Sequence, residues 1–279
     1  MPAQVIALNA FELAILILCE LLDAAAWLRA PVTTGTARIP IASQNESVAE
    51  VVSTETESLL TLLRSFYFPE GEDSARLIRE IATAETGSLQ VSLGARATPF
   101  TAAQRTDCTR SSFVWEAHLN PGKVNSATVV DAYEDGHGRI AVKAIGVIPV
   151  KKFTGREVDV GELQRYLASI ALCPVALLNH TSLELQAAGP FTLRLCDRKD
   201  STGAFVDLDL SKDGVPIGCR AQRPRLAGKQ CVLTPWSTCG SEFRVFEGLR
   251  FPTRLEARWD FPDPFIYYRS QITSFHCVR

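Results

Sequence analysis

From residue 87 onward, apolar side chains recur at every second position. Leu89, Val91 and Leu93 alternate with Gln90 and Ser92, and Phe113, Trp115, Ala117 and Leu119 alternate with Glu116, His118 and Asn120. That period belongs to strands with one buried face. Asp135-Gly136-His137-Gly138 separates two apolar-rich runs, 127–133 and 139–148, as a hairpin turn does. Lys212-Asp213-Gly214, Glu247-Gly248 and the stretch 197–203 carry the same signal. Turns at this spacing, without long helices between strands, predict an antiparallel sheet. Near the C-terminus Arg254, Glu256, Arg258 and Asp260 fall on one face, and Leu255, Ala257, Trp259 and Phe261 on the other. The first set suits solvent, and the second needs something to pack on.

One helix interrupts this pattern. Val160, Leu163, Tyr166, Leu167 and Ile170 stand at helical spacing over about 158–171, and Pro174 ends the run. Upstream of 87 the chain reads as helical and connective. The apolar stretch 5–22 gathers Asn9, Glu12, Glu20 and Asp23 into one narrow stripe, which reads as a helix docked on the protein's own core. Thr54 and Glu57 form a capping box ahead of Leu59, Leu60, Leu62 and Leu63, which places a helix start at Thr54. A further short helix is expected over 73–83, and residues 30–53 read as a connection. The chain thus divides into a helical extension and linker, 1–86, and an antiparallel sheet domain with one inserted helix, 87–279.

Composition narrows the function classes. At 46% apolar and 22% charged the chain can bury a substantial core. A net charge of −2 gives no global attraction to nucleic acid, which is therefore not an expected partner. Residues 1–10 hold no Lys or Arg, so a signal-peptide n-region is missing, and Glu12, Glu20 and Asp23 disfavour a membrane span. A cytoplasmic location is favoured on that ground. Membrane association through residues 5–28 is the less favoured reading, because an interfacial helix carries Lys or Arg on its polar face.

The eight cysteines include no C-x-x-C pair and no histidine at zinc-finger spacing, so they read as free structural thiols. Cys231 and Cys239, flanking Thr234-Pro235-Trp236, are the best bridge candidates. His118, His137, His180 and His276 fit no ligand pattern, and no nucleophile elbow or phosphate loop is present. No metal or cofactor is called for.

The aromatic set is the remaining signal. Trp115, Tyr166, Trp236, Phe243, Trp259, Tyr267 and Tyr268 come from elements that a curved sheet can gather around one helix. They are either ordinary core or the wall of an apolar pocket. In the second case Arg165 or Arg269 would fix a polar head group, although Arg269 could equally pair with Glu256 on a solvated face.

Several of these residues also carry a resemblance. Pro99-Phe100-Thr101-Ala102 precedes Phe113-Val114-Trp115-Glu116-Ala117, and Gly138-Arg139-Ile140 precedes Gly146-Val147-Ile148-Pro149-Val150. Arg165-Tyr166-Leu167-Ala168 leads to Pro174, then come Thr234-Pro235-Trp236, Phe251-Pro252-Thr253 and Tyr268-Arg269-Ser270-Gln271-Ile272-Thr273. In order and spacing the chain over 87–279 resembles an uncharacterised, mainly bacterial family of domains of unknown function. It departs from that pattern at Ser169, where the family has Glu, and at Leu172-Cys173, where it has Trp before the proline. The family carries no activity. At fold level the arrangement is similar to the half-barrel of lipoprotein localisation factors.

The expected fold is α+β: a large curved antiparallel sheet, half-barrel-like, cradling an inserted helix behind an N-terminal helical region. The expected function is non-enzymatic binding of a lipid-like or other apolar small molecule in the concavity of the sheet. Its ligand contacts would be Trp115, Tyr166, Trp236, Phe243, Trp259, Tyr268 and Arg269. The alternatives are a hydrolase with an Arg/carboxylate site, marked by a buried and pKa-shifted acid or His in a polar cleft, and a scaffolding protein docking through its N-terminal helix.

Overall fold

A computed structural model of the chain describes residues 46–279 apart from 124–125, 145–147, 228–229 and 261–263. The apolar stretch 5–28 and Cys19 lie outside the described residues.

The described strands form one open antiparallel sheet, built as two meanders. The first comprises β1 (Glu80–Leu89), β2 (Thr98–Asp107), β3 (Phe113–Leu119), β4 (Ala127–Glu134), β5 (His137–Ala144) and β6 (Ile148–Phe153). The second comprises β7 (Leu183–Gly189), β8 (Thr192–Asp197), β9 (Phe205–Leu210), β10 (Pro216–Ala227), β11 (Gln230–Phe246), β12 (Leu249–Trp259) and β13 (Phe265–Val278). β1 pairs with β13 in the middle, giving the order β6-β5-β4-β3-β2-β1-β13-β12-β11-β10-β9-β8-β7. The turns follow from local chemistry. Asp135-Gly136 and Glu247-Gly248 both take positive φ at each residue, the conformation that matches a two-residue hairpin to strand twist.

This order puts β6 and β7 at opposite edges, so the chain between them must cross the sheet. It does so as α2 (Arg156–Ala168), a 3₁₀ turn (Ser169–Ala171) and α3 (Ala176–Asn179). The helix α2 touches β4 and β5 on one side and β9 and β10 on the other. Laid flat, β4 and β10 would stand about 34 Å apart at ~4.8 Å per strand, against a helix diameter of about 10–12 Å. The sheet therefore curves around α2. Its seat is tight at one end: Gly138 on β5 donates its N–H to Asp159 Oδ1 at 2.7 Å, and a Cβ there would meet Val158 O at 2.4 Å.

The helix α1 (Glu46–Tyr67) closes another part of the core. Leu59, Leu60, Leu63 and Tyr67 are buried, and the helix packs on β7, β8 and β12. Arg250 of β12 donates to its last turn at Phe66 O, 3.0 Å.

Three local expectations are corrected. The helix expected over 73–83 is a 3₁₀ turn (Ala75–Leu77) followed by β1, because Ile81, Thr83 and Glu85 share the buried face of a strand flanked by β2 and β13. Thr54 is not an N-cap. The helix begins at Glu46, and Thr54 O accepts from Ser58 Oγ at 2.8 Å inside it. Cys231 and Cys239 are not bridged. Both lie on β11, and eight residues of strand span about 26 Å, far beyond the ~6 Å between the Cα atoms of a disulfide.

Candidate functional site

The space between sheet and helix is partly filled and partly open. Phe113, Leu163, Tyr166 and Leu167 are buried core. Beside them lies a cavity of about 710 Å3, within the size range of small-molecule sites. Its walls come from both meanders and α2: Leu89, Leu119, Val129, Ile140, Leu208, Leu255 and Ala257, with Trp115, Trp236, Phe243, Trp259, Tyr267 and Tyr268.

Five of the seven ligand-contact residues expected from sequence meet at this cavity: Trp115, Trp236, Phe243, Trp259 and Tyr268. Tyr166 does not line it. Its ring is buried 5.7 Å from that of His180, and its hydroxyl donates to Asp107 O at 3.0 Å, so it belongs to the packed core. Arg269 does not line it either. Its side chain is half exposed, with Nε 3.2 Å from Glu256 directly across on β12. The cross-strand pair on a solvated face is thus the correct one of the two readings of Arg269.

The aromatic walls are held by polar tips. Glu85 on β1 is buried and accepts from Trp115 Nε1 at 2.5 Å and from the Tyr268 hydroxyl at 2.6 Å. Burial and the Glu85 carboxylate push the Tyr268 phenol well above its usual range, so it remains a donor. Trp236 Nε1 donates to the Tyr267 hydroxyl at 3.0 Å, and Tyr267 stacks on Trp259 with centroids 5.6 Å apart. These hydrogen bonds satisfy the indole N–H groups of Trp115 and Trp236 and the Tyr268 hydroxyl, and so fix those rings.

A row of charges crosses the floor. Arg165 of α2 is ion-paired with Asp131 of β4 and lies over the Trp115 ring at 4.6 Å. One turn back, Glu162 takes Arg223 of β10 at 3.3 Å, and Arg223 lies over Trp236 at 4.9 Å. The signs alternate from Asp131 through Arg165 and Glu162 to Arg223. Glu162 is 2% exposed, and its Oε2 has no hydrogen-bond partner among the described residues. Burial and the nearby Asp131 charge raise its carboxyl to about 7, against the pull of Arg223 and Arg165.

The sequence held a sign of this row. Asp131 stands in register with Val129 and Tyr133, an acid on an inward face, and Glu162 and Arg165 are one turn apart on the crossing helix. Which carboxylate met which arginine depended on the curvature, which no local pattern encodes.

A second buried cluster lies outside the cavity. His180 Nδ1 accepts from the backbone N–H groups of Ser182 and Leu183 at 3.2 and 2.9 Å, so Nε2 carries the proton toward Ser111 Oγ, 3.1 Å away. Ser111 in turn donates to Asp197 at 2.6 Å. With serine between histidine and acid, the order is that of a structural clasp and not of a nucleophile with its base.

The comparisons with known proteins place the chain. The model of a family of unknown function, DUF6920, matches residues 63–276. No curated protein matches. Among solved structures, the chain is similar to a DUF1329 family protein from Desulfovibrio piger, with 10% identity, 80% of this chain and 93% of that one covered, and a TM-score of 0.47. It is similar also to a LolA superfamily protein from Nitrosomonas europaea, with 10% identity, 80% and 94% covered, and a TM-score of 0.44.

Proposed function

The chain belongs to the DUF6920 family of unknown function, and from the geometry of its cavity we propose that it binds a lipid-like or other apolar small molecule between sheet and helix. One observation carries this reading: an aromatic-walled cavity of about 710 Å3 whose rings are each held by a hydrogen bond or by another aromatic ring. A protein that needed these aromatics only as core would have closed around them, since tight packing gains dispersion energy that an open cavity forgoes. The rings of Trp115, Trp236, Phe243, Trp259 and Tyr268 supply the contact surface, and preordered side chains lose little entropy on binding.

Native mass spectrometry during titration with a long-chain alkyl compound tests the proposal. A saturable one-to-one complex is expected. Gly161 lines the cavity from α2, and a Cβ there would meet only the flexible Arg223 side chain at 3.6 Å. Gly161→Phe should therefore fold and obstruct the cavity, because leaving glycine favours a helix. Absence of a complex, or uptake unaltered by Gly161→Phe, sinks the reading.

Glu162 favours a second reading. A buried acid raised to about 7 beside a cavity is what general acid–base chemistry requires. In that case the protein hydrolyses an ester or related bond, with Glu162 moving the proton and Arg165 or Arg223 facing the developing charge. Turnover of alkyl ester substrates that Glu162→Gln abolishes, with ligand uptake retained, selects this reading, and absence of turnover removes it.

A further inference from the structure

Three arginines line the cavity, and they are not equivalent. Arg165 faces Asp131 and Arg223 faces Glu162, so each already has a carboxyl group of the protein beside it. The Arg225 side chain has no ion pair and no hydrogen bond among the described residues, yet Arg225 lines the same cavity. It stands on the same face of β10 as Arg223, one pleat nearer the end of the hairpin.

That end of the hairpin projects. Pairing of β11 with β12 stops at Trp236↔Trp259, while pairing of β10 with β11 continues to Ala227↔Gln230. From the projecting part the Arg225 guanidinium reaches back over Trp259, 5.0 Å from its centroid, and over Phe265 at 5.6 Å. Trp259 is itself stacked on Tyr267, so the platform is fixed. A guanidinium held by its flat face keeps its N–H edge free, and that edge matches a carboxylate or phosphate with two parallel hydrogen bonds.

We infer that Arg225 is the head-group anchor of the cavity, and that the ligand is an amphiphile with an acidic head, carboxylate or phosphate, and an apolar tail. This rests on the apolar-binding reading above. The floor supports it by contrast: Arg165 and Arg223 already hold Asp131 and Glu162, so an acid seated there would crowd a second carboxyl group beside each arginine. The tail therefore lies along the aromatic walls and the head stays at the rim, where part of its hydration is kept.

The test is displacement of an uncharged naphthylamine fluorophore by decanoate, decyl phosphate, decanol and decyltrimethylammonium, each below its micelle concentration. The wild type should take one or both acids about tenfold tighter than decanol, the scale of one charge-assisted hydrogen-bonded contact. The two acid arms tell carboxylate from phosphate. In Arg225→Met, which keeps an apolar chain on Trp259, the ratio of acid to alcohol should fall to about one, while Arg269→Met should keep the wild-type ratio; thermal melts establish that both variants fold. Equal affinity for acids and decanol in the wild type, tighter binding of the cationic amphiphile, or a ratio that survives Arg225→Met overturns the anchor. Failure of the fluorophore and of decanol to bind at all overturns the apolar-binding reading itself.

Discussion

Arg165 and Asp131 meet across the gap between helix and sheet, the guanidinium from α2 and the carboxylate from β4. Their side chains are 19% and 16% exposed, so the pair is largely withdrawn from water. Removing one member leaves the other charge buried and unmet. Arg165→Met should cost about 3–5 kcal/mol in chemical denaturation. The double variant Arg165→Met/Asp131→Leu should recover most of that loss, because an apolar pair carries no desolvation penalty. A double variant as unstable as the single one would show that the loss does not come from an orphaned Asp131 charge.

Glu162 makes stability depend on pH in a defined direction. Burial raises its folded-state carboxyl from 4.5 to about 7, so the folded protein holds the proton more tightly than the unfolded chain. Its contribution is fully present below about pH 4.5 and is lost as pH rises through about 7. Relative to Glu162→Gln, the wild type should therefore lose unfolding free energy between those values. Asp131, Arg165 and Arg223 face this group, and a flat difference between the two proteins would mean that they hold it charged throughout.

His180 works in the opposite sense. Burial lowers its folded-state value below 6.5, against the pull of Asp197 and Asp107, with Lys199 adding to the lowering. Its contribution is present above about pH 6.5 and is lost as pH falls through the lowered value. At neutral pH His180→Ala should cost about 1–3 kcal/mol, because the N–H groups of Ser182 and Leu183 lose their acceptor. Acid unfolding followed by circular dichroism should show a shallower pH dependence in the variant.

Gly138 tests how the helix is seated. A methyl group there would overlap Val158 O, backbone that cannot swing aside. Gly138→Ala should destabilise by about 1–3 kcal/mol and loosen α2, read as faster amide exchange over its first turn. Unchanged exchange would mean that α2 does not rest on β5 as described.

The parts of this molecule that were legible in the sequence are those set by local periods. The two-residue alternation around Trp115 and the Asp135-Gly136 turn give a meander, and the helical run ending before Pro174 gives the crossing helix. The 73–83 stretch misled because Ile78 and Ile81 fit helical spacing as well as a strand entry, and its place between β2 and β13 decided the matter. Part of the aromatic wall was legible by parity, which turns Trp115 inward with Leu119 and Trp259 with Leu255 and Ala257. The adjacent Tyr267 and Tyr268, by contrast, both line the cavity where the pairing of β13 with β12 skips Tyr267. Tyr166 escaped that rule because it sits on a helix, where facing depends on which side meets the core and which meets the cavity. Arg225 was not legible at all, since its freedom follows from which arginines found carboxylates on strands distant in sequence.

The most direct measurement of the central claim uses the protein's own tryptophans. Trp115, Trp236 and Trp259 line the cavity, three of the four in the chain. Excited tryptophan should transfer energy to an uncharged apolar fluorophore in a saturable, one-to-one titration, and Gly161→Phe should abolish that transfer while the protein stays folded. Transfer that fails to saturate, or that Gly161→Phe leaves intact, would contradict binding between the sheet and its helix.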